Sequence, residues 1–161
     1  MMHHYKSWLG LKKLLEGRLC KPLQGRVAYF LTSYSEVHNA YSRAAIRVDG
    51  IERAAFTWYD GYRQEDDVYD DPAPSIGSLE RRWNAEGIRS AHDFLNAATA
   101  FLQLSIAEAL KSEDMIVRVL AILDGRVGRR MLEAIRQSGE MEALPDWVRW
   151  FYELRLAAAG F

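Results

Sequence analysis

The pair Asp49-Gly50 constrains the fold of this chain more than any other short segment. It separates two runs of strand-like residues, RAAIRV and IERAAF. An Asp-Gly pair suits a two-residue type I′ turn, because both central residues of that turn have positive φ. In the first run Ala44, Ile46 and Val48 share one face, which is typical of a strand with one buried side. The segment therefore predicts a β-hairpin, with Asp49 and Gly50 in a structural role at its turn.

The segments around the hairpin indicate the fold class. Before it, apolar residues three or four positions apart predict a helix beginning at Trp8, and GRVAYFLTSYS has the β-branched and aromatic composition of a strand. After it, the pattern is helical from Leu79 onward and includes one long helix from Ser90 to Leu110. Because strands come first and helices last, we predict an α+β fold. It consists of an N-terminal helix, a small three-stranded antiparallel sheet and a C-terminal bundle of four to five helices.

The length of the chain bounds its domain organisation. A chain of 161 residues fits one domain, and we expect a single α+β domain over residues 1–161. Its parts are a strand-rich region at 22–60, an acidic loop at 60–78 and a helical region at 79–160. The loop is longer than most connections in compact domains, which favours an exposed, mobile segment. The alternative to helices covering one face of the sheet is an N-terminal module beside a helical C-terminal half.

Charge and cysteine content argue against several classes of protein. The net charge is −1, although residues 1–53 carry nine basic and four acidic side chains and residues 54–72 carry one and six. A nucleic-acid binder usually has a clustered basic face, so this class is not favoured. Cys20 is the only cysteine, the N-terminus lacks a signal-peptide pattern, and no apolar run reaches the roughly 20 residues that span a bilayer. We therefore predict a cytoplasmic protein without a membrane segment, with His3 and His4 either native or the remnant of a tag.

The segment LAILDGRVGRR at residues 120–130 is the first candidate site. It lacks the spacing of a phosphate-binding loop or a dinucleotide-binding turn. Its Arg126, Arg129 and Arg130 could still bind an anion, because guanidinium groups and the free N–H groups of a helix start both favour negative charge. The competing interpretation is a corner in which Asp124 caps the following helix and Gly125 ends the preceding one. The residues with a structural role in that corner are Asp124, Gly125 and Gly128.

Arg155 belongs to an apolar stripe of the last predicted helix. It follows Phe151 by four residues and Trp147 by eight, which places it beside large aromatic side chains. A guanidinium in such surroundings often pairs with a buried carboxylate. We assign Arg155 a structural role and expect Asp124 to be its partner.

The acidic run QEDDVYDD is the second candidate site. It lacks the central glycine and the twelfth-position glutamate of a calcium loop, and runs of like charge are usually solvated. We interpret it as a solvated acidic loop that could engage a basic protein partner. No histidine or cysteine spacing suits zinc and no motif indicates a catalytic nucleophile, so we predict no metal, cofactor or catalytic residue. The residues assigned to partner binding are Asp66, Asp67, Asp70 and Asp71.

Three segments together resemble a group of uncharacterised bacterial proteins. The first, WLGLKKLLEGRLCKPLQGRV, follows the pattern W-x-x-L-K-K-x-L-E-x-x-L-C-x-x-L-x-G-R-V. The others are LDGRVGRRML, in the pattern L-D-x-R-x-G-x-R-x-L, and FYELRLAAAG, in the pattern F-Y-x-L-R-x-x-A-x-G. The resemblance covers both ends of the chain and only poorly the acidic middle. It implies membership of the group and no particular activity.

These features favour a non-enzymatic protein that acts through a protein interface, as an accessory, immunity-like or antitoxin-like factor. Aromatic side chains beyond those that one helix face needs are typical of interfaces. One alternative is a small enzyme or anionic-ligand-binding protein that uses the arginine cluster, with His38 or Tyr41 nearby. The other is a weak nucleic-acid binder that uses the basic first third of the chain. A homo-oligomer is compatible with the leading interpretation.

Overall fold

The computed structural model describes residues 8–32, 43–57 and 89–161. In this part of the chain one helix precedes a three-stranded antiparallel sheet and five helices follow it, which confirms the predicted α+β fold. None of these helices is long and apolar enough to cross a bilayer. The strands are β1 (Val27–Thr32), β2 (Arg43–Val48) and β3 (Ile51–Phe56), and the helices are α1 (Trp8–Gly17), α2 (Ala91–Gln103), α3 (Ile106–Leu110), α4 (Met115–Ile122), α5 (Arg129–Ser138) and α6 (Asp146–Ala158).

The hairpin between β2 and β3 has the turn that the Asp-Gly pair predicts. The φ angle is 53° at Asp49 and 81° at Gly50, so both residues are left-handed, as a type I′ turn requires. The turn is also bound to the residue that precedes β1, because Nε and Nη2 of Arg26 each donate to the Asp49 carboxylate over 3.0 Å. These hydrogen bonds and the charge of Arg26 hold the pKa of the Asp49 carboxyl below its usual range. Local turn chemistry and one cross-strand ion pair thus define this end of the sheet.

A β-bulge at Arg53 links the sheet to the last helix. Ile46 lies opposite Ala54 and Arg47 lies opposite Glu52, so Arg53 is the extra residue of β3. A bulge re-aims the side chain that it carries. The Arg53 guanidinium lies 4.7 Å from the ring centre of Trp150 in α6, where it makes a cation–π contact.

The core lies between the inner face of the sheet and the helices that follow it. Phe94 of α2 is fully buried, and its ring contacts Trp8, Tyr29 and Phe56 from α1, β1 and β3. Six of the eight residues of α4 are buried, and α4 contacts α2, α3 and α6. A helix that is apolar on most faces belongs at the centre of a helical layer, as its sequence indicates.

The prediction of one long helix from Ser90 to Leu110 is wrong. Its start is confirmed by the Ser90 capping box with Asp93, but α2 ends at Gln103 and a second helix starts after Ser105. The Ser105 hydroxyl accepts the N–H of Glu108, and the Glu108 carboxylate accepts the N–H of Ser105. This second capping box satisfies the free donors of a new helix start, which makes the break stable.

Candidate functional site

The segment between α4 and α5, residues 123–128, forms a corner that docks against the end of α1. The N–H of Cys20 donates to the Leu123 carbonyl over 2.9 Å, and the N–H of Gly125 donates to the Arg18 carbonyl over 2.8 Å. Leu19 and Asp124 are partners in this short antiparallel bridge. The 123–128 corner therefore pairs with the end of α1, a segment that lies about a hundred residues earlier in the sequence.

Gly125 allows the close approach of these two backbones. A Cβ atom built on it would lie 3.3 Å from the Cα of Cys20 and 3.7 Å from both the N of Cys20 and the carbonyl oxygen of Leu19. Gly125 does not have the positive φ of a helix-terminating glycine, and the residue that follows α4 is Leu123 in a right-handed conformation. The prediction that Gly125 ends the helix is wrong. A residue without a side chain is needed here because the Cys20 backbone lies so close.

The Asp124 side chain makes its hydrogen bonds within the 123–128 corner, to Arg126. Its side chain is 1% exposed, and its carboxylate accepts the backbone N–H of Arg126 over 2.7 Å. The Arg126 guanidinium donates to both carboxylate oxygens, from Nε to Oδ1 over 3.2 Å and from Nη2 to Oδ2 over 3.0 Å. The N-cap of α5 is Gly128, which has no side-chain cap, so the prediction that Asp124 caps this helix is wrong. An aspartate side chain readily accepts the backbone N–H of the residue two positions later. Here the Asp124 carboxylate makes that local hydrogen bond and does not cap α5.

Arg155 reaches the corner from α6, but Asp124 is not its partner. Its side chain is buried, and Nη2 donates to the Val127 carbonyl over 2.8 Å. Its Nε is also buried and has no hydrogen-bond acceptor. The expected ion pair is not formed, because Arg126 occupies the Asp124 carboxylate. Arg155 thus holds the corner through a backbone oxygen.

The three arginines of the proposed anion site have different surroundings. Arg126 is paired with Asp124, and Arg129 donates from Nη1 to the carbonyl of Ala159 at the end of α6 over 2.8 Å. Arg130 is exposed, with no hydrogen bond or ion pair to any described residue. The three side chains share no acceptor among the described residues, and the assignment of an anion site to them stays a prediction.

Two neighbouring arginines of α5 meet at Phe161. The Cζ atoms of Arg129 and Arg136 lie 4.5 and 4.9 Å from the centre of the Phe161 ring, within the range of cation–π contacts. Arg136 was missed in the sequence analysis. Its spacing of seven residues from Arg129, about two helical turns, is the signal that places both on one face of α5.

Lys12 and Glu16 of α1 were also missed. Lys12 Nζ donates to the Tyr29 carbonyl over 2.7 Å, and the Tyr29 N–H donates to the Glu16 carboxylate over 3.3 Å. Lys12 and Glu16 pair with each other as well. Since β1 pairs only with β2 in the described sheet, these side chains cover the outer edge of the sheet at Tyr29. Their spacing of four residues in the LKKLLE segment is the signal for a helical ion pair.

Two buried phenols, Tyr29 of β1 and Tyr152 of α6, are held neutral. Burial, and then the charges of Glu16, Asp124 and Cys20, raise the pKa of Tyr29 far above its usual value. Burial is also the main cause that raises the pKa of Tyr152 to about 12. Neither phenol therefore ionises near neutral pH. Within the described ranges, no group of three His, Cys, Asp or Glu side chains is arranged to hold a metal ion.

The acidic candidate site falls outside the described residues. Its assignment to partner binding stays a prediction, as do the interpretations of the histidines near the N-terminus and between the first two strands in sequence. The residues concerned are Asp66, Asp67, Asp70, Asp71, His3, His4, His38 and Tyr41.

Substitution of Gly125 tests the close approach at the corner. Gly125→Ala should lower the free energy of unfolding by about 1–2 kcal/mol, because the added Cβ crowds the Cys20 backbone. Gly17→Ala is the matched control: nothing lies within 4 Å of that Cβ position at the end of α1, and the better helix former should add about 0.5–1 kcal/mol. Urea denaturation measures both values. Equal stabilities of the two variants would contradict this role of Gly125.

The geometry brings together the three segments that carry the resemblance. The end of α1, the 123–128 corner and α6 meet through the backbone bridge at Cys20 and the Arg155 hydrogen bond to Val127. Comparisons with curated proteins and with solved structures gave no match. A family model does match, and it spans residues 7–156. This confirms the resemblance to a group of proteins of unknown function: the chain belongs to the SF0329 protein family, which is uncharacterised.

Proposed function

We propose that this protein is a non-enzymatic protein-interaction factor of the bacterial cytoplasm, of an accessory, immunity-like or antitoxin-like kind. The observation that carries this proposal is the contrast between the 123–128 corner and the outer surface of α5. In the corner, Asp124, Arg126 and Arg155 make contacts within the protein. On α5, Arg130 and Arg136 are exposed and have no carboxylate partner among the described residues. Arginine is enriched at protein interfaces, so a charged surface of this kind favours a binding role.

The alternative of an anionic-ligand-binding protein or small enzyme depends on the same arginines. Two of its three candidate side chains already have partners: Arg126 pairs with Asp124, and Arg129 donates to Ala159. A ligand held by all three arginines would have to compete with the Asp124 carboxylate for Arg126. An interface needs no such rearrangement, because arginine side chains at a rim contribute through whichever N–H groups face outward. The protein-interaction function is therefore the better supported of the two.

Affinity capture followed by reconstitution tests the proposed function. We expect the tagged full-length chain to retain one bacterial protein in stoichiometric amount after nuclease treatment, and the purified partner to re-form the complex. The variant with Asp66, Asp67, Asp70 and Asp71 all changed to Asn should lose that partner if the acidic run contributes to the interface. A thermal-shift screen with small phosphorylated and carboxylated metabolites is run in parallel. Strong stabilisation by such a metabolite, with no partner retained, would overturn the proposal.

A further inference from the structure

We propose that α5 is the docking surface for an acidic segment of the partner protein. The α5 arginine surface consists of Arg129, Arg130 and Arg136. This inference rests on the proposed function and adds to it a place on the molecule and a chemical class of partner. It is supported by the charge, the pre-organisation and the length of that surface.

The arginines of the α5 arginine surface form no ion pair with a described carboxylate. Among the described residues, five other arginines have a described carboxylate as partner, whereas none of the three on α5 does. Glu133, the acidic residue of α5, is exposed and forms no ion pair with a described residue. Positive charge without internal compensation attracts and orients an acidic partner. The paired arginines elsewhere are Arg26, Arg43, Arg47, Arg126 and Arg149.

Two of the three guanidinium groups are held in place before any partner binds. Arg129 and Arg136 both lie over the Phe161 ring, and Arg129 is further fixed by its hydrogen bond to Ala159. A guanidinium that contacts a ring through its face keeps N–H donors at its edge for a carboxylate. Holding these long side chains in advance reduces the entropy that is lost on binding. The arrangement suits bidentate recognition of carboxylates.

The size of the surface favours an acidic protein segment over a nucleic acid. From Arg129 to Arg136 the helix rises about 10 Å, and an extended segment of about four residues covers that length. Strongly salt-dependent DNA binding rests on the order of 6–10 phosphate contacts, far more than three arginines supply. The net charge of −1 adds no long-range attraction for a polyanion. A short run of Asp or Glu in a partner fits both the length and the number of donors.

A titration of the full chain with a defined acidic peptide tests this inference. The probe is a polyglutamate peptide of about ten residues, long enough to extend beyond the surface. An oligothymidine of equal length represents nucleic acids in a parallel titration. Chemical-shift changes in ¹H–¹⁵N spectra should map to α5. The double variant Arg130→Gln with Arg136→Gln should weaken peptide binding about fivefold. The matched control, Arg26→Gln with Arg47→Gln, removes the same charge from carboxylate-paired positions and should leave the affinity nearly unchanged.

Each contrary result has a distinct meaning. Equal weakening in both double variants, or shift changes outside α5, would overturn the docking surface. Tighter binding of oligothymidine at α5 would assign the surface to nucleic acid and overturn it as well. If the captured protein partner is retained equally by the wild type and by the α5 double variant, the inference fails and the proposed function stands. If the wild type retains no partner, the proposed function fails first.

Discussion

Replacement of Arg155 by alanine is expected to lower the free energy of unfolding by about 3 kcal/mol, because a buried carbonyl loses its donor and a long side chain is removed from the interior. Arg155 is 6% exposed, and its side chain supplies the hydrogen bond to the Val127 carbonyl. Since this bond ties α6 to the 123–128 corner, the variant should also loosen the attachment of the corner. Thermal and urea denaturation of the purified chain measure the loss.

Two further variants separate the contributions of Arg155. Arg130→Ala removes an exposed arginine of the same charge and should change stability by no more than about 0.5 kcal/mol. Arg155→Met keeps much of the packing but removes both the hydrogen bond and the unpaired Nε, so it should cost less than Arg155→Ala. An unchanged melting temperature of Arg155→Ala would show that the Val127 carbonyl finds another donor.

The elements that sequence analysis predicted correctly depend on short-range patterns. The Asp49-Gly50 turn is set by two adjacent residues with positive φ, and the start of α2 by a capping box within four residues. The burial of α4 follows from its uniformly apolar composition. The prediction of one long helix failed at Ser105. The helical spacing of apolar residues continues past this position, whereas the helix itself is interrupted by the Ser105 capping box.

The contacts of the 123–128 corner could not be assigned from the sequence in the same way. A glycine that ends a helix and a glycine that admits a neighbouring backbone look identical in sequence, and Gly125 is the second kind. Arg155 and Asp124 have the right residue types for an ion pair, but the choice of partner depends on three-dimensional positions across 28 residues and more. Arg136, by contrast, was predictable, since its helical period relative to Arg129 is visible in the sequence.

The largest loss of stability is expected at Phe94, where replacement by alanine should cost about 4 kcal/mol. Phe94 is fully buried at the point where α1, β1 and β3 face α2, with ring-centre distances of 6.0 Å to Trp8, 6.2 Å to Tyr29 and 5.3 Å to Phe56. These three neighbours come from different elements, so they cannot all move into the space that the ring leaves. Urea denaturation followed by far-UV circular dichroism measures the change.

The loss of stability in Phe94→Ala shows how strongly the sheet and the helices stabilise each other. Phe94→Leu keeps most of the apolar volume and should cost clearly less than Phe94→Ala, while Asn96→Ala on the exposed side of α2 should stay within about 0.5 kcal/mol of the wild type. If the slope of the unfolding free energy against urea concentration (the m-value) is unchanged, the sheet and the helices still unfold together. A loss below about 2 kcal/mol would mean that the neighbouring rings close over the cavity, since the cost of such a deletion falls as the site collapses. The sheet would then owe less of its stability to α2 than the ring contacts of Phe94 indicate.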